Sequence, residues 1–120
     1  MNKDNILLVE DLPSLRDTWE LIFSNFGVTI HTASNGDEAV EILKEHPIDI
    51  IVTDLQMPVK DGYYVLDYIK SNNLDIITWV CSGQLMPSRP LDEFRVDKIL
   101  LKPFNMIQEV QEIIKLANKQ

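Results

Sequence analysis

The stretch Ile48-Asp49-Ile50-Ile51-Val52-Thr53-Asp54-Leu55-Gln56-Met57-Pro58-Val59-Lys60-Asp61-Gly62 decides the fold. Ile48 to Thr53 is short, nearly continuously apolar and rich in β-branched residues, as in a strand buried on both faces. The run stops on the carboxylate of Asp54. Pro58 and Gly62 then mark Leu55 to Gly62 as a loop. A strand covered on both sides needs a helical layer above and below it, so the rest of the chain has to supply alternating strands and helices.

Reading outward, it does. Asn5 to Val9 is a first strand ending at Glu10 and Asp11. Leu15, Trp19, Ile22, Phe23 and Phe26 recur at helical spacing, with Pro13 suited to the first turn and Gly27 to the stop. Val28 to Ala33 is a second strand, and Gly36 to Glu45 a helix with Ala39, Ile42 and Leu43 inward. Tyr63 to Ser71 is a helix, Ile76 to Cys81 a fourth strand followed by Ser82-Gly83, and Asp97 to Leu101 a fifth followed by Lys102-Pro103. Ile107, Val110, Ile113, Ile114 and Ala117 mark a final helix, with Lys115 near its negative end. Pro87 and Pro90 break the stretch before the fifth strand, leaving room for one or two turns near Leu91 to Arg95. These βαβ units predict an α/β fold with a doubly wound five-stranded parallel sheet and a short or irregular fourth helix. The 120 residues, without repeat or linker, are expected to form one domain over 1–120.

Bulk composition narrows the partners. The formal net charge of −8 opposes direct nucleic-acid or anionic-membrane binding. No apolar run approaches the ~20 residues of a membrane span, and the polar Met1 to Asp4 does not read as a signal peptide. Cys81 is the sole cysteine and sits in an apolar run, which suits a buried thiol and a cytoplasmic location. Trp19, Phe23, Phe26 and Trp79 are expected in the core. His31 and His46 are expected to be unrelated to each other and to any catalysis.

Chemistry is expected at the carboxyl ends of the strands. The residues found there are Glu10 and Asp11, Asp54, Ser82, and Lys102. Three carboxylates at one edge repel and raise at least one pKa. A hard divalent cation, Mg²⁺ (or Mn²⁺), relieves that repulsion and shares its shell readily with phosphate. Asp54 is then an available phosphoryl nucleophile, with Lys102 to neutralise phosphoryl oxygens and the Ser82 hydroxyl to hydrogen-bond one.

Four motifs in this order, Leu8-Val9-Glu10-Asp11, Thr53 to Pro58 with Asp61-Gly62, Cys81-Ser82-Gly83 and Lys102-Pro103-Phe104, make the whole chain resemble the receiver domain of bacterial two-component response regulators, the chemotaxis-regulator type of fold. The resemblance implies strand order 2-1-3-4-5, Asp54 as phosphoacceptor, and Glu10 and Asp11 as the acidic pair for Mg²⁺. It implies a further metal ligand from the Gln56 backbone carbonyl, Ser82 as the hydroxyl switch, and Lys102 ahead of a cis bond to Pro103. It implies a phosphorylation switch loaded by a sensor histidine kinase or phosphotransfer protein. Such a domain is a monomer or weak phosphorylation-dependent dimer, and catalyses its own loading and slow dephosphorylation without being a metabolic enzyme. Gln56 and Gln84 stand where such domains tune phosphoryl lifetime. The family usually carries Tyr or Phe three residues before the lysine; here Ile99 stands there, so signal readout is expected to follow a modified route.

Two other function classes compete. An aspartate-nucleophile phosphohydrolase of the haloacid-dehalogenase type needs an acid two residues after Asp54, where Gln56 stands. A pseudo-receiver, an interaction module independent of phosphate, fits Ile99 and the broken fourth helix but not the complete acidic set. No glycine-rich nucleotide motif follows the first strand.

Overall fold

The computed structural model describes residues 4–83 and 89–118. Five parallel strands, β1 (Asn5–Val9), β2 (Thr29–Ala33), β3 (Ile50–Asp54), β4 (Ile77–Ser82) and β5 (Lys98–Leu101), form one sheet in the order β2-β1-β3-β4-β5. Among the described residues four α-helices join them: α1 (Pro13–Phe23), α2 (Gly36–Glu45), α3 (Gly62–Ser71) and α4 (Met106–Ala117). A single 3-10 turn, Leu91–Glu93, precedes β5, in keeping with the prolines. Gln84 and Pro87 lie outside the described residues.

The period of two along each strand divides the core. Ile6 and Leu8 of β1, Ile50 and Val52 of β3, and Trp79 and Cys81 of β4 pack with Trp19 and Phe23 of α1 and Val110 and Ile113 of α4. Leu7, Val9 and Ile51 point the other way, to Ala39 of α2 and Val65 of α3. The central strands are therefore buried at every position but the first residues of β1 and β4, because each face has a helical layer. The edge strands β2 and β5 do not follow that rule: β2 is mostly half-buried, and in β5 only Leu100 is fully buried. An edge strand has a neighbour on one side only, which relaxes the demand for continuous burial.

Three expected placements change. Phe26 follows α1 in a turn rather than extending its buried stripe, and is 41% exposed. Ile107 on α4 faces outward as well. His31 of β2 and His46, the residue that closes α2, are not unrelated: their rings lie 4.5 Å apart. Burial, then the charge of His46, holds His31 below the ordinary imidazole range. Gly27 has φ +67, the left-handed conformation a glycine stop supplies.

The helix starts matter for the site. α2, α3 and α4 are capped by Asn35, Asp61 and Asn105, which accept from the N–H of Glu38, Tyr64 and Gln108. Of the four described α-helices, α1 alone has no side-chain cap. It rises directly from the Glu10–Asp11 turn, with Pro13 in its first turn, and Glu10 Oε2 accepts from the N–H of Leu12 at 3.2 Å. Two carboxylates before a helix N-terminus also sit well in its dipole field.

Candidate functional site

Register brings the acidic residues together. Val9 of β1 pairs with Thr53 of β3, so Glu10 and Asp54, one residue on, finish side by side. Asp54 in turn pairs with Cys81 on β4, which places Ser82 one step further on the adjacent strand. Ser82 is buried and pairs with Leu101 of β5; its carbonyl accepts from the N–H of Lys102 at 2.9 Å. Four strands thus deliver the predicted set to one end of the sheet.

One carboxylate oxygen from each of Glu10, Asp11 and Asp54 lies within 4.8 Å of the others. Glu10 and Asp54 are each 3% exposed, while Asp11 is half-buried at the mouth. Lys102 Nζ lies 2.9 Å from Asp54 Oδ1, and Asp54 Oδ2 is buried with no hydrogen-bond partner among the described residues. The two oxygens are therefore unlike: one is neutralised, the other holds an unused lone-pair direction. An orphaned buried carboxylate oxygen is costly in water-poor surroundings. Its cost falls when a hard cation completes the set, and three carboxylates are the donor chemistry such an ion takes.

Electrostatics agree. Burial, and then the Asp54 carboxyl beside it, push the Glu10 carboxyl up to about 8, against the opposing pull of the Leu12 N–H and the Lys102 charge. Burial works against the Lys102 ammonium, but hydrogen bonding to Asp54 and the charges of Asp54 and Glu10 outweigh it, so its pKa is raised and the cation is secured. The Cys81 thiol is driven upward by burial and by Asp54, so it stays protonated.

Gly62 shapes the floor. A Cβ there would lie 2.2 Å from the carbonyl oxygen of Asp54 and 2.8 Å from the Leu55 Cα, so only glycine lets α3 start this close to β3. Gly62 N–H donates to Leu55 O at 2.9 Å. In the same loop Val59 adopts φ +70, a left-handed conformation rare for a β-branched residue. Gln56 is exposed at the loop's start; Gln84 lies outside the described residues. The Lys102–Pro103 bond is cis. Beside the acids, Glu10, Leu15, Trp19, Lys102, Pro103, Phe104 and Met106 line an apolar-walled cavity of about 260 Å³.

Ile99, at the position where an aromatic residue was expected, is 47% exposed on β5. Tyr63 is buried, whereas Tyr64 is partly exposed beside Lys60. Sequence reasoning passed over Arg16, whose Nη1 donates to the Glu10 carbonyl at 2.8 Å. The available signal was a cation in the first turns of a helix, where the dipole disfavours one.

The chain is similar to known proteins in sequence and in fold. The probable C4-dicarboxylate response regulator DctR of Bacillus subtilis is 35% identical over 106 residues, covering 84% of this chain and 46% of that protein. The probable transcriptional regulator ycf27 of Guillardia theta is 29% identical over 121 residues, covering 98% of this chain and 48% of that protein. The chain thus spans about half the length of the curated relatives it matches. Among solved structures, the response regulator protein TrrA of Thermotoga maritima in complex with Mg²⁺-BeF superposes with a TM-score of 0.80 at 26% identity, covering 94% of this chain and 98% of that one. The signal receiver domain of a Luxo repressor protein from Vibrio parahaemolyticus shares the fold, with a TM-score of 0.83 at 23% identity over 96% of this chain and 92% of that one. Residues 6–115 match the sequence profile of the response regulator receiver domain, and the chain belongs to that family.

Proposed function

We propose that residues 1–120 form a single receiver domain, a signalling switch that takes a phosphoryl group onto Asp54 from a phosphohistidine on a sensor kinase or phosphotransfer protein. The observation that carries this reading is the buried Asp54 carboxylate, close to the carboxylates of Glu10 and Asp11 and to the Lys102 ammonium, with Oδ2 unpartnered among the described residues. That a relative of this fold, TrrA, is solved in complex with Mg²⁺-BeF supports a Mg²⁺-dependent reading of the acidic set. Glu10, Asp11, Asp54 and the Gln56 backbone carbonyl would hold Mg²⁺ (or Mn²⁺). When bound, the ion supplies charge neutralisation for an incoming phosphoryl dianion.

The chain's own groups do the rest. A carboxylate oxygen of Asp54 attacks phosphorus, the phosphorus–nitrogen bond of the donor breaks, and the imidazole leaves with the electron pair. Lys102, kept charged by its acidic neighbours, moves with the negative charge from the carboxylate toward the phosphoryl oxygens. The Ser82 hydroxyl donates to one of those oxygens. Two residues beyond Asp54 stands Gln56 rather than an acid, so water attack lacks an acid–base residue there and dephosphorylation is slow. The domain works in the cytoplasm as a monomer or weak phosphorylation-dependent dimer, without direct nucleic-acid or membrane contact. No helix among the described residues is long and apolar enough to cross a membrane.

Incubation with a small phosphodonor and Mg²⁺ tests the reading. Wild type gains an acid-labile, hydroxylamine-sensitive adduct that Asp54→Asn lacks. An adduct resistant to hydroxylamine, or equally present in the variant, refutes it. The exposed Ile99 favours a second reading, a phosphate-independent interaction module. Absence of any adduct in wild type would select that one.

A further inference from the structure

The turn that carries Glu10 and Asp11 has to hold two carboxylates beside a third, and three hydrogen bonds fix it. Glu10 N–H donates to Ala33 O at 3.0 Å. Glu10 Oε2 accepts from Leu12 N–H at 3.2 Å. The Glu10 carbonyl accepts from Arg16 Nη1 at 2.8 Å. The third bond is the only one of these made by a side chain outside the acidic pair.

Arg16 is poorly placed for helix electrostatics. Pro13 opens α1, so Arg16 closes the first turn, where the positive end of the helix disfavours a cation. Its guanidinium reaches back over the turn to the carbonyl of the peptide group that joins Glu10 to Asp11. It also stands near α2. Glu38 is held below the ordinary carboxylate range chiefly by the hydrogen bonds of Ser34, with a smaller contribution from the charge of Arg16. Ser34 directly follows Ala33, the residue that accepts from Glu10. Arg16 therefore sits between the loops that follow β1 and β2.

Fixing the Glu10–Asp11 peptide plane fixes the direction in which the Asp11 backbone leaves, and hence where its carboxylate stands. We infer that Arg16 is a positioning residue for the divalent-cation site. It does not touch the ion; it holds the peptide so that the carboxylates of Glu10, Asp11 and Asp54 converge on one point. The inference rests on the metal-assisted function proposed above. A merely structural Arg16 would change stability and leave ion preference alone.

Ion preference separates these roles. Mg²⁺ demands near-octahedral oxygens at about 2.0–2.1 Å, whereas Ca²⁺ accepts looser shells at about 2.3–2.6 Å. Loosening one carboxylate therefore harms Mg²⁺ more than Ca²⁺. Removing a nearby positive charge acts oppositely and tightens both ions. MgCl₂ and CaCl₂ are titrated into wild type, Arg16→Met and Arg16→Lys. Binding is read by calorimetry and by intrinsic fluorescence, since Trp19 lines the cavity shared with Glu10 and Lys102.

Arg16→Met is expected to weaken Mg²⁺ about tenfold, the usual scale for losing a group that orients a ligand. Ca²⁺ is expected to weaken by about threefold or less. Arg16→Lys keeps the charge but not the planar fork and falls between. Unchanged or tighter Mg²⁺ binding in Arg16→Met, or equal weakening of both ions, overturns the inference. Should Arg16→Met not fold, a wild-type Mg²⁺-to-Ca²⁺ affinity ratio in Arg16→Lys overturns it instead. A wild type that binds neither ion defeats the metal-assisted function together with the inference; a wild type that binds while the variants match it defeats the inference alone.

Discussion

The carboxyl end of the sheet and the flank beyond β4 invert the usual rule of burial in opposite ways. At the sheet end Glu10 and Asp54, both ionisable, are each 3% exposed. On the flank Ile99 and Leu101, both aliphatic, are 47% and 46% exposed. Buried carboxylates cost stability unless something pairs with them. Here Lys102 pairs with one oxygen of Asp54, while Oδ2 has no partner among the described residues. The flank is covered differently from the rest of the sheet. Its described residues supply a single 3-10 turn, tied to α3 by the bidentate Arg89–Asp67 pair and by the Tyr63 hydroxyl, which accepts from the Arg89 N–H at 3.3 Å. The comparison teaches that the two regions are furnished independently: the sheet end gathers buried charge, while the flank leaves aliphatic side chains in water.

Substitutions break that comparison at graded cost. Gly62→Ala drives a Cβ into the backbone of Asp54 and Leu55, and is expected to lose about 3 kcal/mol in denaturant unfolding. Gly83→Ala, with open space around its Cβ, serves as the control at about 0.5 kcal/mol or less. Lys102→Met removes the Asp54 partner. It is expected to slow phosphorylation by a small donor about 100-fold, the scale for losing one charge-stabilising group; a rate within threefold of wild type, read by adduct accumulation, would mean the ammonium is a structural ion pair only.

The next effect depends on pH. Glu10 titrates near 8 in the folded, metal-free chain and at 4.5 as its ordinary value. The folded state therefore binds the extra proton, and the penalty is absent below 4.5, grows as pH rises and is complete above 8. Metal-free thermal stability accordingly declines across that window from this group. Because binding expels the proton, apparent Mg²⁺ affinity is expected to rise about 50-fold between about pH 6 and about pH 8. An affinity flat over that range in calorimetry would show that Glu10 does not compete with the ion.

Val59→Gly relieves a left-handed conformation at an exposed β-branched residue, and is expected to add about 0.5–1 kcal/mol after the glycine entropy is counted. Ile99→Tyr on the flank is expected to change stability by about 0.5 kcal/mol or less, because the side chain is already half in water. A larger loss would mean that Ile99 is packed after all.

Much of this molecule was legible in the chain itself. Nearly continuous apolar runs gave the three central strands to within two residues, since burial on both faces leaves few polar positions inside them. The strand-end rule picked out Glu10, Asp11, Asp54, Ser82 and Lys102, and the structure brings the three acids and the lysine into contact range. Boundaries slipped at β2, which starts at Thr29 rather than Val28, and at α3, which starts at Gly62. Phe26 and Ile107 had the right spacing for a buried stripe but face outward, because a periodic pattern does not say where a helix stops or how wide its covered face is. The His31–His46 contact joins an edge strand to a helix end fifteen residues on, and nothing in local sequence announces it.

By itself the sequence determined the α/β alternation, the acid-rich strand ends and the family, because these follow from short-range period and from residue types at fixed offsets. Only the tertiary structure decided that Glu10 stands beside Asp54, that Asp54 Oδ2 is left unpartnered, that Arg16 grips the Glu10 carbonyl, and that Ile99 faces water. Those depend on strand register and on which element covers which face. Both are set by long-range packing of segments that share no local signal.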